Sequence, residues 1–231
     1  MHRKEIISSY IKAVNAKTYV EIGVQRGHLF FGINAPRKFA VDPNFMISKT
    51  NKIKYFFQRL RDQYYELTSD DFFDQHGDKL FATDKIDVAF IDGLHTYEQV
   101  MRDVENCLKY LSPKGVILLH DCKPDDASAA VFAMSPEDAR NRYEGWESGA
   151  WTGDVYKAII ELRSTHTDRH IFVFDTDHGV GCIQPGSMEM PLSLSKADIA
   201  EMEYDAFEPQ QEKLLNLKDK SYLKEAISKL A

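Results

Sequence analysis

The stretch that decides the fold is residues 86–121, IDVAFIDGLHTYEQVMRDVENCLKYLSPKGVILLHD. It opens on an apolar run that ends at Asp92. Gly93 and His95 follow, and then Tyr97, Val100, Met101, Val104, Leu108 and Leu111 mark one face of a long amphipathic helix. SPKG stops that helix, and VILLHD at 116–121 is a second apolar run, ending in His120 and Asp121. Continuous apolar strands joined by a helix belong to a parallel sheet covered on both faces. Both strands bring a carboxylate and an imidazole to their ends, which points to one site built from the two.

The same rhythm extends outward. Residues 4–14 carry Ile6, Ile7, Tyr10, Ile11 and Val14 at helical spacing. TYVEIGV (18–24), KFAVD (38–42) and QYYELT (63–68) read as strands, and SDDFFDQ after the third has the acid-rich start of a helix. WTGDVYKAIIELR (151–163) returns to a helix. HIFVFDTD and VGCIQPG, joined through Asp177-His178-Gly179, read as a closing hairpin. Residues 122–150 are polar and form a lid or insertion after the fifth strand. The tail at 195–231 is charged and helical, with Ile199, Met202, Leu214 and Leu215 as its apolar points. The expectation is one α/β domain over 1–231, without internal repeats.

The 231 residues suffice for a full core, and 43% apolar with 28% charged residues is ordinary globular composition. A net charge of −7 argues against a general nucleic-acid surface, while leaving room for a local basic patch. Cys107, Cys122 and Cys182 show no CxxC spacing and read as reduced thiols. No signal peptide or membrane span is visible, so the expected location is the cytoplasm, with no membrane partner; a homo-oligomer is compatible with the composition.

EIGVQRG, Glu21 to Gly27, places a glycine turn after the first strand, where such sheets meet nucleotide-like ligands. Gly23 and Gly27 do not match the GxGxxG that lets a pyrophosphate approach, and an acid precedes the first glycine. Glu21 suits an ammonium group. Asp42, at the end of the second strand, suits two ribose hydroxyls. S-adenosylmethionine carries both, with a sulfonium. The alternative is that the glycines make only a tight strand-to-helix turn.

EIGVxxG followed by VD resembles the cofactor half of class I S-adenosylmethionine-dependent methyltransferases. Over residues 18–184, the blocks FIDGLHTY to LSPKGVILLHDC, WTGDVYKAIIELR and VFDTDHGVGCI resemble the bacterial group of macrocin- and mycinamicin-type sugar O-methyltransferases. The resemblance implies a Rossmann-like, doubly wound, mostly parallel seven-stranded sheet with an antiparallel last strand and helices on both faces. It places Ser69 and Asp70 at the adenine, with a helix cap as the alternative for both. The expected cofactor set is therefore Glu21, Gly23, Gly27, Asp42, Ser69, Asp70 and Asp92.

The resemblance also implies a Mg²⁺ ion held by acids from the fourth and fifth strand ends, binding two neighbouring acceptor hydroxyls, with a histidine of the DGxH segment as base. Carried onto this chain, Asp92 and Asp121 are ligands and His95 is the base. Two close carboxylates repel, and a divalent cation relieves this; oxygen ligands favour Mg²⁺, Ca²⁺ or Mn²⁺ over zinc. The chain departs from the pattern at His120, which stands where the relatives have an acid. That leaves fewer protein ligands, a softer ion such as Mn²⁺ with His120 as a ligand, or an acceptor-orienting His120. Alternation along the strand sends His120 to the opposite sheet face from Asp121 and favours His95 as base. The alternatives are a helix-capping Asp92, a His95 that caps or supports from behind, and a packed His120. Asp154 and Asp177 read as caps or turn formers.

Tyr143, Trp146 and Trp151 stand in or beside the lid, as aromatics that either stack on a saccharide or small-molecule acceptor or pin the lid to the core. The expected function is metal-assisted O-methylation of a hydroxyl. The alternatives are a non-catalytic S-adenosylmethionine-binding module and a metal-dependent hydrolase on a similar sheet.

Overall fold

In a computed structural model that describes residues 2–146 and 149–230, the apolar runs form one sheet. Its strands are β1 (Thr18–Ile22), β2 (Arg37–Val41), β3 (Gln63–Tyr65), β4 (Ile86–Ile91), β5 (Leu111–Leu119), β6 (Arg169–Phe174), β7 (Val180–Pro185) and β8 (Leu217–Lys218). The order is β3-β2-β1-β4-β5-β7-β6-β8. Only β7 runs antiparallel, against both β5 and β6. The order in which strands are added reverses between β1 and β4, and the crevice outside the carboxyl ends at such a switch point is where ligands bind in sheets of this kind.

Successive residues alternate between two cores. Val20, Ile22, Ala89, Ile91, Ile117 and Leu119 face one. Tyr19, Val88, Phe90, Val116 and Leu118 face the other. Helix α1 (Arg3–Ala13) and the five-residue α2 (His28–Gly32) pack on the second face. The first face is covered by α5 (Ser69–Phe72) and α6 (Asp78–Phe81), by the long α7 (Tyr97–Tyr110) and by α9 (Val155–Thr165). Between β2 and β3 lie α3 (Lys49–Lys54) and α4 (Phe56–Arg61); the lid holds α8 (Pro136–Arg142).

Four expectations about elements are corrected. The sheet has eight strands rather than seven, because Leu217 and Lys218 in the tail pair in parallel with Val173 and Phe174. The tail is therefore not one helical run. Helices α10 (Lys196–Ala200), α11 (Tyr204–Phe207) and α12 (Gln211–Leu215) bury Ile199, Phe207, Leu214 and Leu215 in the first core, and α13 (Leu223–Ser228) buries Ala226 in the second. The helix expected from residue 151 starts at Val155, after a turn through Gly153 at φ +62°. The lid is also less open than its polarity suggests: Ala129, Ala130, Ala133 and Ala139 are buried. Glu147 and Ser148, part of the expected lid, lie outside the described residues.

Candidate active site

The sheet ladder continues one residue past each central strand. The Gly23 amide donates to the Val41 carbonyl, Asp92 to Ile22 and His120 to Ile91, so the ends of β1, β4 and β5 stand side by side. Gly23 has φ +83°, and a Cβ there would lie 1.9 Å from the Asp92 carbonyl oxygen. Only glycine lets the β1 turn pass so close to the β4 exit. Gly153 repeats the arrangement from the other side: at φ +62° its Cβ would lie 1.8 Å from the His95 carbonyl oxygen. The two turns clamp the segment from Asp92 to His95 between them.

Four side chains meet in that clamp. His95 Nε2 lies 3.2 Å from Asp121 Oδ2 and 3.5 Å from Asp92 Oδ1. His120 Nδ1 lies 3.0 Å from Asp121 Oδ2 and 3.4 Å from Asp92 Oδ1. Asp92, His95 and Asp121 each offer a ligand atom within 4.8 Å of the others. The alternation argument against His120 is thus corrected. His120 continues the face of Leu118, but Asp121 adopts a left-handed φ of +57°, which turns its carboxylate back toward the same cluster. Period-two alternation holds only while the backbone stays extended.

His95 Nδ1 is 3.0 Å from the Trp151 carbonyl oxygen. A carbonyl accepts only, so Nδ1 donates to it and Nε2 is the nitrogen that faces the carboxylates. His120 is held from behind, where Asp177 Oδ1 lies 3.7 Å and Arg3 Nη1 2.7 Å from its Nε2. Arg3 also pairs with Asp177 at 3.2 Å, and its backbone amide donates to the same carboxylate. Asp177 therefore does more than form the hairpin turn. His120 Nδ1 is buried with no hydrogen-bond partner, although two carboxylates surround it. Among the described residues, Asp92, His95 and Asp121 are the group whose ligand atoms lie close enough to share a metal ion.

The electrostatics agree. Burial alone would raise the Asp92 carboxyl, but the imidazoles of His120 and His95 outweigh it and hold it well below the usual range. Burial would lower both histidines, yet the carboxylates prevail: Asp92 and Asp121 raise His95, and Asp121, Asp177 and Asp92 push His120 up to about 11. The cluster attracts positive charge, whether protons or a metal ion.

On the cofactor side, Asp42 is 7% exposed and stands beside the glycine turn, its two oxygens accepting the amides of Gln25 and Asn44 at 2.7 Å. Glu21 lies below the turn, 1% exposed, and accepts the Tyr19 hydroxyl at 2.5 Å. Burial raises its pKa to about 8. Gly27 stands just ahead of α2. Thr68 caps α5, so Ser69 and Asp70 are not caps. Ser69 donates to Asp103 of α7 at 2.5 Å, and Asp70 pairs with Arg102 at 3.2 Å.

Trp151 reaches the cluster, its ring centroid 5.0 Å from that of His95 and its indole N–H donating to the Val131 carbonyl of the lid at 2.9 Å. Tyr143 and Trp146 are half-buried within the lid. Asp154 caps a helix other than its own: its Oδ1 accepts the Tyr97 amide at the start of α7, at 2.7 Å. Sequence reasoning missed Arg3 and Gly153 altogether. The glycine in WTGD was a signal for the second; a lone arginine in the first turn of a helix offers none for the first.

Residues 20–122 match the model of a family described as methyltransferase domain, which takes in Glu21, Asp42, Asp92, His95 and Asp121. Solved structures share the fold. An O-methyltransferase from Bacillus cereus, crystallised with SAH, has a TM-score of 0.56 at 14% identity over 79% of this chain and 80% of its own. TomG from Streptomyces achromogenes, an O-methyltransferase of tomaymycin synthesis solved with SAM, has a TM-score of 0.58 at 12% identity over 80% of each chain. No curated protein matches the chain. The fold and the family match point the same way: residues 20–122 are similar to a methyltransferase domain.

Proposed function

We propose that the protein transfers a methyl group from S-adenosylmethionine to a hydroxyl of a small molecule or saccharide, assisted by a divalent cation. The observation that carries this reading is the convergence of Asp92, His95 and Asp121 beside the glycine turn. Both solved relatives described above are O-methyltransferases, one with SAM and one with SAH bound.

Asp92 and Asp121 would hold the ion. When bound, Mg²⁺ or Mn²⁺ lowers the pKa of a hydroxyl on it. Displacement at a sulfonium disperses charge, so the protein's main task is to bring donor and nucleophile into line. The glycine turn and Asp42 fix the donor, and the clamp of Gly23 and Gly153 fixes the acceptor side. His95 takes the hydroxyl proton on Nε2, the nitrogen left bare by the bond from Nδ1 to Trp151. Its proton acceptance is supported by the same two carboxylates that raise its pKa. An amine acceptor would not need a cation, which favours oxygen as the nucleophile.

Calorimetry tests the cofactor: S-adenosylmethionine should bind and NAD should not. No heat from the former, or tighter binding of the latter, would reject the reading. Methyl transfer to a panel of hydroxylated acceptors, with EDTA and with Mg²⁺ restored, tests the cation.

A further inference from the structure

The segment between β2 and β3 presents an apolar face to solvent. Ile53 near the end of α3 and Phe56, Phe57 and Leu60 of α4 are 78%, 52%, 84% and 70% exposed. No residue of α3 is buried. The segment is nevertheless held at both ends. The Met46 amide donates to Gln25 in the cofactor turn at 2.9 Å. Tyr55 stacks on Phe31 with centroids 4.3 Å apart and planes 6° from parallel. Asp62 pairs with the buried Lys38 at 3.1 Å.

Its charge is as unusual as its exposure. Lys49, Lys52, Lys54, Arg59 and Arg61 fall within thirteen residues that hold no acid, in a chain whose net charge is −7. The geometry points to a docking surface for an anionic lipid bilayer, with the four apolar side chains entering the acyl boundary and the cations resting among the headgroups.

Other occupants fit less well. A second copy docking by the same face would bring two sets of cations together, Lys49, Lys52 and Lys54 among them. A nucleic acid would take the cations and leave four large apolar side chains in water. A partner's acidic groove must surround an amphipathic helix, whereas this one is broken at Tyr55 and stacked there on the body of the protein. A bilayer requires only one open face. Docking there would bring the cofactor turn, through Gln25 and Phe31, close to the membrane.

Flotation of the full-length protein tests this with vesicles of phosphatidylcholine alone or mixed with phosphatidylglycerol. The bound fraction should be about tenfold higher on the anionic vesicles at low salt and should fall as salt rises. Both F57S/L60S and K52E/K54E should lose about tenfold in that binding, with circular dichroism melts unchanged, since all four positions are exposed. Three results would overturn the proposal. They are a wild type that stays off anionic vesicles, a dimer in light scattering that F57S/L60S dissociates, and binding that depends on the lysines while F57S/L60S leaves it intact.

Discussion

At the scale of single residues, the site depends on which nitrogen of each histidine is bare. His95 spends Nδ1 on the Trp151 carbonyl and presents Nε2 to the carboxylates. His95→Gln keeps a polar group of similar reach but removes the base, and should lower the turnover number by roughly 10²–10⁴ with cofactor affinity nearly unchanged. Near-normal turnover in this variant alongside an inactive His120→Gln would exchange the roles of the two. A second expectation concerns competition between proton and cation. Asp92 and Asp121 raise the His95 pKa against the opposing effect of burial. Mg²⁺ held between those carboxylates cancels their charge, so it should move the His95 titration, followed by NMR of the ring, to lower pH. In Asp121→Asn the shift on adding Mg²⁺ should be lost while the fold remains. A titration indifferent to Mg²⁺ in the wild type would remove the metal from the mechanism.

At the scale of elements, α7 links the strand ends to α5. Its first amide is capped by Asp154, and nearly two turns later Asp103 faces Ser69 and Gln99. Burial pushes Asp103 up to about 6, against the hydrogen bonds from Ser69 and Gln99. A carboxyl whose folded pKa lies above its unfolded value of about 3.9 contributes stability that is complete below that value and lost as pH rises to about 6. Asp103→Asn keeps an acceptor for both partners and removes the titration. Urea denaturation should therefore show a flatter pH dependence between those limits, with a gain near neutral pH on the order of 2 kcal/mol. An unchanged slope would mean that Asp103 is not the group responsible. Much at this scale was legible in the sequence. Apolar runs ending in acids located β4, β5 and the site, because a strand buried on both faces has no other composition open to it. Contacts between distant elements were not legible. Asp154 sits at the start of one helix and caps another, a relation set by tertiary packing. The orientation of Asp121 could not be read from alternation, since its positive φ ends the strand's period. A two-residue strand such as β8 carries no periodic signal at all.

At the scale of the whole molecule, the tail closes the sheet through one buried cation. Arg163, on α9, is 1% exposed. Its Nη1 donates to the carbonyls of Lys213 and Leu214 at 2.5 and 2.6 Å, and its Nη2 to those of Glu189 and Met190 at 3.2 and 2.7 Å. Burial lowers its pKa to about 10, so it remains charged at neutral pH. The tail and the segment leading into it from β7 are thus gathered on one planar fork, just before Asn216 turns left-handed and Leu217 pairs with β6. Lysine offers a single ammonium and cannot span both pairs of carbonyls. Arg163→Met fills much of the volume but leaves those carbonyls without donors, and should cost about 3 kcal/mol or more. Arg163→Lys should fall between Met and the wild type. Thermal melts give the ordering, and limited trypsin digestion gives the location, because loosening should first expose lysines of the tail such as Lys213 and Lys218. If Arg163→Met melts with the wild type, or is cut first outside residues 186–231, then the tail is held by its apolar contacts with the core and the fork of hydrogen bonds is secondary.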